Sequence, residues 1–440
     1  MPAPMLPKTC DVLVVGAGVV GLTLALELRK RHPQASIVVI DKESGAGEHA
    51  SGRNSGVLHA GFYYTANSLK ARLTRDGNRL MAAWCEEHAV PVRRCGKLVV
   101  ARNASEHAGL DELLRRADTN GVRMEAIDAR AALEIEPYVK TCERALYSPD
   151  TCAVDPRKVL ATMQEIAVAR HGIQIVPATK WLARDPNGAV VTSGGRVDCG
   201  MLVNAAGLYA DRIAHSYGYG ERYRMLPFKG LYLYGNEAAP QLRTHIYPVP
   251  DLAMPFLGVH FTVTAAGRTK IGPTAIPAFW REDYAERFLQ GFSARELAEV
   301  VHDDMVLFAN DARFRRHAVR EPWKILRGVL VRHAAHLAKD IRVEDFKEWG
   351  RPGIRAQLFD RIEKRLVMDF CFEGDDKSLH ILNAVSPAFT CSWAFAKHVL
   401  DSVDGSIASD GESSLQHGQP PASAHRPTQK TSTEGLRNEL

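Results

Sequence analysis

The sequence predicts an α/β protein in which a parallel sheet covered by helices alternates along the chain with an α+β region built on a mixed or antiparallel sheet. Three observations predict this. Residues 11–41 read strand, glycine turn, helix, strand: DVLVV, GAGVVG, LTLALELRKRH, ASIVVID. A second strand running into glycine, MLVNAAG (201–207), lies far downstream. Residues 221–275 then carry short aromatic and aliphatic runs (YLYG, HIYPV, FLGVHFTV, RTKIGP) of the kind expected from paired strands. At 440 residues the chain is too long for one ordinary core and suggests two domains or about three.

The apolar run 12–15 suits a parallel strand buried on both faces, and Leu22, Ala25, Leu26 and Leu28 give the next helix one apolar face. Asn67 or Ser68 is placed to cap SLKARLTRDGNRLMAAWCEEH, where Leu69, Leu73, Leu80 and Trp84 recur at helical spacing. GKLVVA (96–101) reads as a strand and 105–120 as a polar helix. Residues 155–171 read as a helix, followed by the strand GIQIV and a hairpin around DPNG. Residues 281–346 look mostly helical, and RPGIRAQ with LHILNAVSPAFTCSWAFAKHVLD returns to loop, strand and helix. We therefore assign 8–90, 145–220 and 348–402 to a discontinuous Rossmann-like domain, and 91–144 with 221–347 to the second domain. Residues 403–440, rich in Ser, Pro, Gln, Gly and Thr, are expected to be disordered.

Hydrophobic residues at 45% and charged residues at 24% are those of a globular protein, and no apolar run approaches the roughly 18 residues of a membrane span. The opening MPAPMLPKTCDVLVVG lacks the layout of an export signal, so a cytoplasmic location is expected. The 8 cysteines are scattered without a CxxC pair, which argues against a zinc site and a disulfide framework. A net charge of +5 is too weak to imply nucleic-acid binding.

Gly16, Gly18 and Gly21 follow a strand and open a helix, and Asp41 ends the next strand. The first glycine permits the tight turn, the second lets a pyrophosphate approach the backbone, and the third packs helix on strand. The helix N-terminus offers amides to phosphate, and Asp41 can accept from a ribose hydroxyl. The fingerprint alone does not separate NAD from FAD. Its position at the start of the chain, with Gly207 after a second strand and a third element near the C-terminus, suits the larger ligand, FAD.

In this order, HASGRNSGVLHAGFYYTANSLKARL (49–73), VNAAGLYAD, YPVPD with FLGVHFTV, GPTAIPAF, GIRAQ and NAVSPAFT resemble the L-2-hydroxyglutarate dehydrogenase/oxidase family of FAD-dependent oxidoreductases, over residues 10 to about 402. The wider group is similar to D-amino-acid oxidase and glycine oxidase. The resemblance implies that 49–61 wraps the flavin, so that Ser51, Asn54, Ser55 and Gly56 join the fingerprint in holding FAD. It adds Lys42, Trp181, Gly353 and Ser386 to that set, and implies no metal. The implied reaction moves hydride from a 2-hydroxy acid to flavin N5 while a base takes the hydroxyl proton, with quinone or oxygen as the final acceptor. His59 and His260 are the two candidates for the base. Arg355 is the first choice to grip the carboxylate, with Arg351 as a competitor. Lys229, Tyr63 and Tyr64 are candidates for a second carboxylate.

The family usually reads PFRGEYY where this chain has PFKGLYLY, which brings in Lys229 and Leu231. It reads NAPSPAAT where Val385 and Phe389 stand here, and YTPGSLKA where Asn67 takes the glycine position. A closely related 2-hydroxy acid therefore stays open as the substrate. An amino-acid or amine oxidase of the same fold, and a flavin-binding protein without catalysis, are the alternatives. One stretch stands apart: residues 312–339 carry eight Arg and Lys against Glu321, interleaved with Phe314, Trp323, Ile325, Leu326, Val329 and Leu330. It suits either an amphipathic segment on the core or one pressed on an anionic membrane face.

Overall fold

The computed structural model describes residues 5–252, 256–284, 291–407 and 415–417. Strand Thr9–Val15 is flanked in parallel by Ile37–Ile40 and Gly195–Asn204, and the parallel set extends to Gln174–Val176 and Ser378–Asn383. Helix Val19–Arg31 packs on this sheet with Leu22, Leu24 and Ala25 fully buried. Because helices cover both faces, the strands are continuous apolar runs, as 12–15 predicted.

Helix Leu69–Glu87 begins at Ser68, whose hydroxyl accepts from the Ala71 amide at 3.2 Å. Asn67, which stands at the family's glycine position, has φ +60°, a left-handed conformation that Asn tolerates better than most side chains. The helix packs tightly on Ala388–Ile407: a Cβ on Gly77 would sit 2.3 Å from Cys391 Cα. All 8 cysteines are free thiols.

The second sheet has eight strands. In order they are Phe346–Trp349, Leu233–Gly235, Thr269–Gly272, His260–Val263, His245–Pro248, Lys97–Val100, Arg144–Ser148 and Glu125–Asp128. Only the pairing of His245–Pro248 with Lys97–Val100 is parallel, so the sheet is mixed. A third sheet pairs Tyr223–Gly230 antiparallel with Gly353–Asp360 along their whole length.

These pairings correct the expected boundaries. Residues 145–148 belong to a strand of the eight-stranded sheet, and the boundary at 348 cuts Phe346–Trp349, because long-range hydrogen bonding, not local composition, decides sheet membership. The tail also starts later than expected. Helix Ala388–Ile407 continues past 403, and Leu415–His417 pairs with Cys371–Gly374 at the sheet edge. The remainder of that expectation, 408–414 and 418–440, lies outside the described residues.

Candidate active site

The segments singled out in the sequence meet in space. The Arg53 guanidinium donates to the Pro352 carbonyl at 3.2 Å, and a Cβ on Gly353 would sit 2.6 Å from the Arg53 carbonyl. The Thr390 hydroxyl accepts from the His59 amide at 3.1 Å and donates to the Val57 carbonyl at 3.3 Å. HASGRNSGVLHAG, GIRAQ and NAVSPAFT thus enclose one cavity of about 1050 Å³, which runs from Gly18 to His59, His260 and Arg355.

At its nucleotide end the glycines divide their tasks. Gly16 has φ +109° and a Cβ there would lie 2.5 Å from the Ala205 carbonyl oxygen; a Cβ on Gly21 would lie 1.9 Å from the Gly16 oxygen. These two let backbone pack on backbone and do not line the cavity. Gly18 does line it, at the N-cap of Val19–Arg31, where it offers no side chain of its own to cap the first turn. Ser51 accepts from the Val19 amide at 3.0 Å, tying the 49–61 segment to that helix start. Asp41 accepts from the Ala17 amide at 2.7 Å and the Glu43 amide at 2.9 Å, so it braces the glycine turn. Asn54, Ser55, Gly207, Gly353 and Ser386 line the same cavity, whereas Gly56 is buried behind it with φ +77°. A cavity of this length, opening on a helix start and walled by small residues, fits FAD.

At the other end, His59 and His260 are both buried, and Tyr63, Tyr64, Tyr232, Tyr247, Lys70 and Arg355 join them around the cavity. Burial, reinforced by the Lys97 charge, holds both imidazoles well below their ordinary pKa, so they are neutral at physiological pH. His260 stacks on Tyr247 with ring centroids 3.6 Å apart and directs Nδ1 to the Gly258 carbonyl at 2.8 Å. Arg355 sits on Gly353–Asp360 opposite Phe228, with its guanidinium 5.3 Å from the Phe256 ring centre. Burial lowers its pKa from a very high starting value, and it stays a cation. The Tyr63 hydroxyl is buried without a hydrogen-bond partner among the described residues, a donor available to a ligand.

Four expected site residues face elsewhere. Lys229 pairs with Asp283 at 2.8 Å and is absent from the cavity wall, because alternation along Tyr223–Gly230 turns it away. Arg351 is exposed and pairs with Glu48 at 3.2 Å. Lys42 bonds Glu43 and, at 2.7 Å, Glu282. It thereby supplies the cation for Glu43, His49 and Glu282, whose ligand atoms lie within 4.8 Å of one another. Trp181, in the hairpin beside the parallel sheet, packs against the core cluster of Leu13, Val38 and Val190 and does not reach the cavity.

Lys70 and Lys97 were missed. Lys70 lies in the first turn of Leu69–Glu87, lines the cavity, and is lowered by burial to about 8. Lys97 is fully buried, with Nζ 3.2 Å from His59 Nδ1 and 4.1 Å from the Tyr247 ring centre. The available signal was polar: each lysine interrupts an apolar pattern, in SLKARL and in GKLVVA.

The family model for FAD dependent oxidoreductases (DAO) matches residues 11–402. L-2-hydroxyglutarate dehydrogenase of Escherichia coli (strain K12) is 32% identical over 403 residues, covering 91% of this chain and 94% of the relative. Mitochondrial L-2-hydroxyglutarate dehydrogenase of Homo sapiens is 34% identical over 415 residues, covering 89% and 88%. The solved L-alpha-glycerophosphate oxidase of Mycoplasma pneumoniae with FAD bound superposes with a TM-score of 0.71 at 19% identity, over 90% of this chain and 95% of that one, which is agreement in fold. Fingerprint, His59 segment and Arg355 strand all fall inside the matched span: this chain is an FAD-dependent oxidoreductase and belongs to the L-2-hydroxyglutarate dehydrogenase family.

Proposed function

We propose that the enzyme oxidises L-2-hydroxyglutarate to the 2-oxo acid. One observation carries this reading: a single cavity sets two cations from different elements, Arg355 and Lys70, around the neutral imidazoles of His59 and His260. A dicarboxylate that bears a hydroxyl needs a cation for each end and a neutral base for the O–H proton. Arg355 grips the carboxylate beside the reacting carbon with its two-pronged guanidinium. Lys70, still charged at neutral pH, takes the far carboxylate. The Tyr63 hydroxyl donates to a substrate oxygen, and Tyr64 and Tyr247 exclude water. Bound FAD supplies the acceptor for the hydride that leaves the α carbon.

Of the departures from the family pattern, Lys229 and Leu231 stand outside the cavity wall, while Val385 and Phe389 line it. A close relative of L-2-hydroxyglutarate with a shorter chain is therefore the second reading. Anaerobic mixing with L-2-hydroxyglutarate, its D form, lactate, glycine and glycerol 3-phosphate tests both. Bleaching of the oxidised flavin band by the L-hydroxy diacid is expected, and bleaching by glycine alone would overturn the proposal. Arg355→Ala should raise KM steeply with FAD still bound.

The electrons then go to quinone or oxygen, and we favour quinone reached at a membrane surface. No helix among the described residues is long and apolar enough to cross a membrane. However, Val319, Trp323, Ile325 and Leu326 are all more than half exposed, and Arg316, Arg320 and Arg327 stand exposed beside them. Residues 312–339 are two short helices, Ala312–Arg320 and Arg327–Ala334, joined by the turn Pro322–Ile325. Phe314, Leu330 and Val331 anchor this unit in the core. Trp323 and Arg320 also border the cavity, so this apolar and basic face is continuous with the route to the site.

A further inference from the structure

We propose that Lys97 is the positioning residue of the reaction: it takes the proton from the far nitrogen of His59, which makes His59 the base in preference to His260. The inference rests on the 2-hydroxy acid reading above.

Lys97 opens a strand whose next three residues, Leu98, Val99 and Val100, are fully buried, and it is itself fully buried between His245–Pro248 and Arg144–Ser148. It makes no salt bridge among the described residues, and its one hydrogen-bond contact there is His59 Nδ1 at 3.2 Å. The rings of Tyr247, Tyr63 and Phe62 stand 4.1, 5.2 and 5.6 Å from its Nζ. A buried ammonium without a carboxylate is costly, so a lysine at this position is retained against stability. The cavity wall includes His59 and not Lys97, so any effect on substrate passes through the imidazole.

The two histidines differ at the nitrogen that faces away from substrate. His260 Nδ1 meets the Gly258 carbonyl, which accepts a hydrogen bond and cannot carry a proton away. An imidazolium formed there would remain buried near Lys97 and Arg355, both of which oppose it. His59 Nδ1 meets an amine. With Lys97 neutral, His59 holds its hydrogen on Nδ1, donates it to Nζ, and presents the Nε2 lone pair to the substrate hydroxyl. As the substrate O–H bond breaks, a bond forms from that proton to Nε2. The Nδ1–H bond breaks and an N–H bond forms on Nζ. The electron pair leaves the α carbon with its hydrogen toward the flavin. His59 ends neutral and Lys97 ends as an ammonium faced by three aromatic rings, which stabilise a cation.

Burial brings Lys97 down to about 7, close to the value a proton carrier needs at neutral pH. The titratable groups that face it are Cys95 on its own segment, His59, His245 on the adjacent strand, His260, and the phenols of Tyr63 and Tyr247, which burial pushes up, with Arg355 acting on the same histidines. Cys95, His245 and His260 titrate far from 7 in the folded protein: burial pushes the thiol up to about 11 and both imidazoles well down. Among the groups that face it Lys97 alone falls near 7, so flavin reduction at saturating substrate should rise with pH through that value, whereas Lys70, at about 8, holds substrate and acts on KM.

The test is anaerobic flavin reduction by L-2-hydroxyglutarate, followed in the holoenzyme across pH. If the wild type is not bleached, the substrate reading fails and with it the inference. If it is bleached, Lys97→Met and Lys97→Arg decide. Both should lose about 100-fold or more in the reduction rate, with KM little changed and the limb near 7 gone, because arginine keeps the charge but never gives up its proton. Lys97→Arg at the wild-type rate would overturn the relay in favour of charge alone, and an unaltered Lys97→Met would remove any role. Should neither variant retain FAD, the wild-type rate in mixtures of light and heavy water serves. A curved dependence means two protons in flight, and a linear one refutes the relay.

Discussion

His260 Nδ1 lies 2.8 Å from the Gly258 carbonyl oxygen, and since a carbonyl only accepts, the hydrogen sits on Nδ1 and the lone pair on Nε2. His260 is thus locked as a neutral acceptor facing the cavity, stacked on Tyr247. We expect His260→Phe, which keeps a ring on Tyr247, to lower kcat/KM about tenfold, the value of one lost hydrogen bond of about 1.4 kcal/mol. The pH dependence should be unchanged. His59→Phe should cost about 100-fold or more. Equal losses in rapid-mixing measurements would place the base at the wrong histidine.

Gly16→Ala should abolish FAD binding. The new Cβ would meet a backbone oxygen at 2.5 Å, which cannot rotate away, and φ +109° is strained for any L side chain. Backbone strain of this kind is worth about 1–3 kcal/mol, so the melting temperature should fall as well. The ratio of flavin to protein absorbance after purification reads the first effect directly. A variant that keeps its full flavin complement would mean that the turn is more pliable than this geometry allows.

Lys97→Met should be more stable than the wild type at neutral pH while turning over more slowly. The sign follows from a folded-state pKa of about 7 against the ordinary 10.5. Between those values the unfolded chain holds a proton that the folded protein lacks, so the penalty grows as pH falls from 10.5 to 7 and is constant below. Each pKa unit is worth about 1.4 kcal/mol, so the gain at pH 7 is a few kcal/mol before lost ring contacts are subtracted. The melting advantage of the variant should shrink between pH 7 and 9. A variant that melts lower at pH 7 contradicts the assignment.

Trp323→Ser combined with Ile325→Ser should release the protein from vesicles that contain anionic lipid. Both side chains are more than half exposed, at 65% and 57%, and their apolar area would otherwise enter the interface. Co-sedimentation should fall for the double variant and, through the flanking arginines, for the wild type at high salt. Wild-type protein that stays in the supernatant with anionic vesicles would leave this face without a membrane role.

Much of the molecule was legible before folding was considered. The glycine turn, a cap at Asn67 or Ser68 and the buried run 12–15 follow from rules that act within a few residues, so strand, turn and helix appeared where expected, with Ser68 as the cap. The cavity wall at Ser51, Asn54, His59 and Arg355 was reached through resemblance, which transmits positions and not distances. Lys229 and Lys42 were drawn toward the site by resemblance, and Arg351 by its nearness in sequence to Arg355. Their partners Asp283, Glu48 and Glu282 could not be known from neighbouring residues; Arg351 and Glu48 are 303 positions apart.

Local chemistry in the chain therefore settled the main elements and the nucleotide turn, and the ordered motifs carried the resemblance to the family. Folding settled which charges are neutralised and which are left facing the cavity. Lys97 illustrates the difference: on paper it is one polar residue at the start of a strand, and in the fold it is a fully buried amine against His59, 38 residues away. The physical reason is that a charge takes its meaning from burial and from the partner brought to it, and both are properties of the packed chain.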